Sequence, residues 1–294
     1  MTLSIASAPG AWGIEPPVSP RYPPWTRVLD EIAEAGFNGC ELGPIGYLPR
    51  GQELIQALAS RGLKMPAAFV MEPLSAPDAF HRTVALARET CGVLESVGAK
   101  TLILIDGLHP SRSATAGRSE DAARLDLSLW EQLMTTAQAI CQVAAEHGLS
   151  IAFHPHAGTN VEFEDEIDRL MSDLDSPNAG ICIDTGHAVF AGIDPARLAR
   201  RYASRLVHVH LKDVDDAVLQ RCLAGSASFE QAVASGVFTP LGGGSIDLED
   251  FADALRAAGY EGWATFEQDR LVERIGDALD DARRSLQHAR SIGL

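Results

Sequence analysis

At 294 residues the chain is longer than one sandwich or bundle needs and suits a single α/β barrel. Its 46% hydrophobic and 22% charged content fits a globule with a large core, and no apolar run is long enough to cross a bilayer. With 40 acidic against 24 basic side chains the net charge is −16, which repels nucleic acid and suits neutral sugars or polyols as ligands.

The N-terminal stretch MTLSIASAPGAWG lacks a basic region followed by a long apolar run, so no signal peptide is expected. The cysteines at 40, 91, 141, 182 and 222 are dispersed with no CxxC spacing. That pattern predicts reduced, buried thiols and a cytoplasmic location.

Short β-prone runs follow one another at 3–7, 37–42, 63–70, 101–106, 149–154, 180–184, 206–211 and 263–267. Between them lie segments with helical spacing of apolar residues, such as WTRVLDEIAEAG and FADALRAAGY. Gly36, Gly62, Gly98, Gly148 and Gly259 each stand where such a helix should stop before the next strand. Eight strands, each followed by a helix, predict a (β/α)8 TIM barrel, and the lack of a linker or composition break predicts one domain over 1–294. The segment SRSATAGRSED after the fourth strand is expected to be mobile, and residues 212–245 are expected to form an irregular lid or rim. The acidic run VEFEDEIDRL is read as a helix start with a solvated face.

A barrel of this kind works at the C-terminal ends of its strands. The fifth strand ends in IAFH, the sixth in ICID, the seventh reads LVHVHL and the eighth ends in WATFE. With alternation of period two, Ile151, Phe153, Ile181, Ile183, Val207, Val209 and Phe266 face the helices. His154, Asp184, His208, His210 and Glu267 then face the barrel interior. A single buried His or Asp is usually structural, but four neighbouring strands presenting such groups need something to hold them. A divalent cation would do so, and so would a mutually hydrogen-bonded polar plug. Favoured ions are Mn2+ or Co2+, with Zn2+ and Fe2+ also compatible.

Further polar residues have two readings each. Glu41 and Glu72, at the ends of the second and third strands, can bind substrate hydroxyls or pair with a rim arginine. Trp12 can stack on a polyol or pack in the core. The GGGS run at 242–245 can cradle a phosphate, but a flexible loop or a helix N-cap is the simpler reading. His147 falls at a helix end.

The stretches FHPHAGTNVE, DTGHAVFAGIDP, VHVHLKDV, GVFTPLGGGSID and GWATFEQD resemble the xylose-isomerase-like sugar isomerase/epimerase superfamily, and most of all its inosose dehydratases of inositol breakdown. The resemblance is densest over 149–270. It implies one divalent metal held by His154, Asp184, His210 and Glu267, and a keto-polyol or keto-sugar as substrate. It also implies that His187 and Lys212 contact that substrate. Many sugar epimerases carry glutamate where this chain has His154, and losing one of two opposed carboxylates favours elimination over epimerisation. In a dehydration Glu267 is the natural base, with His156 or Glu72 as the other candidates. An isomerase or epimerase, or a sugar-binding barrel without turnover, are the competing expectations. No nucleic-acid or membrane partner is expected, and oligomeric state, including a homo-oligomer, is left open.

Overall fold

The computed structural model describes residues 3–294. The strands are β1 (Ser4–Ser7), β2 (Gly39–Cys40), β3 (Ala67–Glu72), β4 (Thr101–Asp106), β5 (Ser150–Phe153), β6 (Ala179–Asp184), β7 (Leu206–Leu211), β8 (Asp213–Val214), β9 (Phe238–Thr239) and β10 (Trp263–Phe266). Eight of them form one parallel sheet in the order β2-β1-β10-β7-β6-β5-β4-β3. A parallel bridge between Gly39 and Lys64 closes the ends of that order into a barrel. Cys40 N donates to Lys64 O at 2.9 Å there, and Leu42 N to Ala67 O at 3.2 Å. The closure is sparse because Pro66 has no N–H to give, so β3 is regular only from Ala67 onward.

Helices alternate with the strands, and all five glycines expected to stop them adopt positive φ, from 64° at Gly259 to 95° at Gly36. Alternation sorts the side chains into two layers. Leu102, Leu104, Ile151, Phe153, Ile181 and Ile183 pack in the large shell between sheet and helices. Ala67, Ile103, Ile105, Ala152 and Cys182 fill the inside of the barrel. One expectation fails locally. A register shift between Ile181 and Cys182 leaves Val207 packed against this inner group, rather than with Val209 in the outer shell. Among the described residues no helix is long and apolar enough to cross a membrane.

Residues 212–245 are not irregular. β8 and β9 pair antiparallel, and helices Asp216–Ala224 and Phe229–Ala234 complete a folded rim. It has its own apolar core, including Phe190, Val218, Leu219, Phe229 and Phe238. The GGGS loop holds an internal anion: Gly242 N and Gly244 N donate to Asp213 Oδ2 at 2.9 and 3.0 Å, and Ile246 N to Asp213 Oδ1 at 3.1 Å. A side chain at 244 would place its Cβ 2.2 Å from Asp213 Oδ1, so only glycine fits.

The SRSATAGRSED segment is anchored, not free. Its Arg112 is buried and binds both oxygens of Glu166 at 2.7 and 2.9 Å. Glu162 lies 3.6 Å from the same guanidinium and accepts from Gly117 N at 2.6 Å and Gly158 N at 3.0 Å. The acidic run VEFEDEIDRL is therefore split: Glu162 and Glu166 are interior, and only residues such as Glu164 and Asp168 lie on the surface, paired to Arg197 and Arg201. The sequence hides this because Arg112 lies 54 positions from Glu166.

Replacing Arg112 by Met should cost about 3–5 kcal/mol near neutral pH, the cost of leaving buried carboxylates without their cation. Burial, opposed by the Gly117 and Gly158 N–H groups and by Arg112, already pushes Glu162 up to about 7. A carboxyl raised in the fold stabilises it below the unfolded value and loses that contribution as pH rises through the folded value. The deficit in urea denaturation should therefore be smaller at about pH 5 than at about pH 8. A deficit independent of pH would mean that lost packing, not unpaired charge, is responsible.

Candidate active site

The C-terminal ends of β5, β6, β7 and β10 meet at the barrel mouth, and on His154, Asp184 and His210 one polar atom is already engaged, which leaves the other free. His154, one residue past β5, gives its Nδ1–H to Pro155 O at 2.8 Å, which leaves Nε2 3.5 Å from Asp184 Oδ2. Asp184, last in β6, caps the helix Thr185–Phe190: Oδ1 accepts from Gly186 N at 2.8 Å and His187 N at 2.9 Å. Its Oδ2 is buried without a hydrogen-bond partner. His210 turns Nε2 toward Glu41 Oε1 at 3.2 Å and Nδ1 toward Asp184 Oδ2 at 3.8 Å and Glu267 Oε2 at 3.1 Å. That Nδ1 also lacks a hydrogen-bond partner.

Two orphaned buried atoms facing each other require an explanation. Donors held ~2.1 Å from one cation lie roughly 3 to 3.5 Å apart, close to the separations seen here. The set of two imidazole nitrogens and two carboxylates suits a divalent ion, and His154, Asp184, His210 and Glu267 are the residues that could hold it. Glu267 lies below the ordinary carboxylate range: burial would raise it, but His210 and Lys212 prevail.

Lys212 follows β7 directly and is fully enclosed. Its Nζ lies 3.2 Å from Asp184 Oδ2, 3.1 Å from Glu267 Oε2, 3.0 Å from Asp269 Oδ1 and 3.0 Å from His187 Nε2. Burial opposes its charge, yet Asp184, Asp269 and Glu267 hold it well above the usual lysine value. His187 and His156 stack with ring centres 3.7 Å apart. Burial first, then neighbouring positive charge, keeps His187 well below its ordinary value and pushes His156 down to about 3. Both are neutral rings. His156 gives Nδ1–H to Ala157 O at 2.8 Å, so its Nε2 is the basic atom. Phe229 and Phe238 of the rim wall this side, 5.2 Å from the His156 ring and 5.5 Å from Lys212 Nζ respectively.

Three expected residues sit elsewhere. Trp12 is completely buried and gives its N–H to Glu31 at 2.6 Å, so it packs in the core and offers no face for a polyol to stack on. Glu72 shares the parity of Ala68 and Val70 and pairs with Arg82 at 3.2 Å on the helix side, away from the mouth. Glu41 faces inward but lies beneath the mouth, where His208 Nε2 at 2.8 Å and Thr265 Oγ1 at 2.6 Å hold it.

Two residues join the group without having been singled out. Asp269 touches Lys212, and its place two residues after Glu267 was the signal that could have found it. Glu15 comes from the loop after β1, which carries no periodicity. The residue is exposed to solvent, with Asp269 and Glu267 as the nearest like charges acting on its carboxyl.

The sequence model of the xylose isomerase-like TIM barrel matches residues 29–292. An inosose dehydratase of Geobacillus thermodenitrificans (strain NG80-2) is 34% identical over 266 residues, 90% of this chain and 88% of that one. The rhizopine catabolism protein MocC of Rhizobium meliloti is 32% identical, covering 92% of this chain and 82% of its own length. Among solved structures, D-allulose 3-epimerase from Methylomonas sp. superposes with a TM-score of 0.73 at 17% identity, covering 99% and 98% of the two chains. IOLI protein with a binding zinc atom superposes with a TM-score of 0.73 at 13% identity, covering 100% and 99%. Likeness at those identities concerns the fold. The extent of the family match and of the first relative's identity decides kinship: this chain belongs to the xylose isomerase-like TIM barrel family.

Proposed function

We propose that this chain is a divalent-metal-dependent lyase that dehydrates a cyclic keto-polyol of the inosose type. The observation that carries the reading is that Asp184 joins His154 on one side and His210 with Glu267 on the other in two overlapping donor groups, in a chain whose nearly full-length relative is an inosose dehydratase. A cation bound by those four residues supplies Lewis acidity to the substrate's carbonyl. The free, buried cysteines suit a reducing compartment, and we place the protein in the cytoplasm.

In this reading the Glu267 carboxylate takes the proton from the carbon beside the ketone. Lys212, whose Nζ lies 3.1 Å from Glu267 Oε2, holds its charge and orients it. The C–O bond to the neighbouring hydroxyl then breaks, and that oxygen leaves as water after gaining a proton. Lys212 and Asp269, whose Nζ and Oδ1 lie 3.0 Å apart, are the proton-bearing groups on this side. His187 and Lys212 form the polar wall against which substrate hydroxyls are bound, and Phe229 and Phe238 flank it. The imidazole of His154 cannot serve as a second carboxylate across the substrate, which disfavours a two-carboxylate epimerisation.

Metal-loaded protein incubated with an inosose should yield a product lighter by one water in mass spectrometry. A product of unchanged mass, from an inosose or a keto-sugar, would make the chain an isomerase or epimerase instead. Bound metal without turnover across such a panel would make it a binding protein.

Two substitutions test the assignments. His154→Ala should strip metal from the purified protein, whereas His147→Ala should not, because His147 pairs with Glu95 at 2.7 Å on the outside. Equal metal content in the two variants would remove His154 from the ligand set. Glu267→Gln at saturating metal should lose at least about 10²-fold in turnover, the lower end for a missing general base. Exchange of the substrate's α-proton with deuterated solvent should vanish with it. Exchange that survives while dehydration stops would transfer the base role to His156.

A further inference from the structure

Glu41 is buried, with 1% of its surface exposed, directly after the shortest strand of the barrel. Its backbone is fixed from β1, since Glu41 N donates to Ser7 O at 2.9 Å, and the next residue is fixed from β3. Its side chain crosses the barrel interior to β7 and β10. There Oε1 gathers three groups: Thr265 Oγ1 at 2.6 Å, His208 Nε2 at 2.8 Å and His210 Nε2 at 3.2 Å. Oε2 has no partner.

A carboxylate so enclosed accepts only and offers nothing to an acceptor, so any ring nitrogen that turns toward it must carry hydrogen. Among the described residues no lysine or arginine pairs with it, and Thr265, His208 and His210 are its donors. His210 therefore presents Nε2–H downward, and its Nδ1 lone pair points up to the place shared by Asp184 Oδ2 and Glu267 Oε2. The same logic is carried out at His154 by a carbonyl and at Asp184 by two backbone N–H groups. Of the three, only His210 depends on a side chain from the far side of the barrel.

We propose that Glu41 is a positioning residue that fixes the ring orientation and tautomer of His210 for cation binding, with His208 and Thr265 holding Glu41 in place. This assignment replaces a substrate-binding role for Glu41. It rests on the reading of His154, Asp184, His210 and Glu267 as a cation site, and not on which reaction follows. Partners of this kind are worth roughly 10–100-fold in metal affinity when lost.

The test measures Mn2+ binding to metal-stripped protein by titration calorimetry, for the wild type, Glu41→Gln and Glu41→Ala. The expected result is dissociation constants raised ~10-fold or more in both variants, with the larger rise in Ala, because Gln keeps one acceptor oxygen. A variant that stays folded by circular dichroism and binds Mn2+ within twofold of the wild type overturns the proposal. If both variants fail to fold, 15N NMR of histidine-labelled, metal-free wild type decides, with the His210 signals assigned through His210→Gln. At a pH where the ring is neutral, Nε2–H with a bare Nδ1 supports the proposal, and Nδ1–H with a bare Nε2 overturns it. Wild-type protein that binds no Mn2+, Co2+ or Zn2+ removes the cation reading and this inference together, whereas tight wild-type binding with unchanged variants removes only the inference.

Discussion

A carboxylate taken out of water must find positive charge or hydrogen-bond donors, and the mouth of this barrel is organised by that requirement. Asp184, Glu267 and Asp269 share the single ammonium of Lys212, each within 3.2 Å of it. Three carboxylates therefore face one ammonium, and Asp184 Oδ2 makes only ion-pair contacts among the described residues. His156 and His187, which burial holds well below the ordinary histidine value, add no positive charge beside the lysine. The local composition thus calls for a second cation next to the lysine. The same excess of negative charge repels anionic ligands.

The strand scaffold makes this arrangement affordable. The ligand-bearing positions lie at the ends of β5, β6, β7 and β10, neighbours in one sheet, so adjacent strands bring the donors within hydrogen-bonding distance of each other without any loop folding around them. The apolar alternates of the same strands, Phe153, Ile183, Val209 and Phe266, lock the strands against the helices. Moving any donor would require moving a packed residue beside it.

This division explains which parts were readable from the sequence. Strand alternation is a local rule, so the inward placement of His154, Asp184, His210 and Glu267 followed from four short runs of residues. The helix stops at Gly36, Gly62, Gly98, Gly148 and Gly259 were readable for the same reason, because a C-cap depends only on its own turn. What failed depended on partners far along the chain. Glu166 reads as a surface acid until Arg112 is brought to it, and Glu41 reads as a ligand for substrate until His208, 167 positions away, closes over it. Glu72 was misplaced for a subtler reason: the strand was expected to end at 70, which left the facing of residue 72 undetermined, whereas β3 continues to Glu72 and turns it outward. Val207 shows the opposite limit, since a single bulge overturns a parity that holds for its neighbours.

The boundary between scaffold and rim falls between two consecutive residues. Lys212 points into the mouth, and Asp213 points the other way, into the glycine-rich loop, where the N–H groups of Val214, Gly242, Gly244 and Ile246 surround its carboxylate at 2.9 to 3.1 Å. Backbone N–H groups that could have cradled a phosphate are thus spent on an internal anion, and in return the Lys212 backbone is clamped from both sides: Thr185 Oγ1 donates to Lys212 O at 2.6 Å and accepts from Lys212 N at 2.9 Å. The cation of the site is therefore as rigidly seated as the strand-borne donors, although it stands in a connection. The aromatic side chains Phe229 and Phe238 belong to the rim beyond this clamp. Changes there can reshape the space over the donors while the clamp keeps Lys212 among Asp184, Glu267 and Asp269.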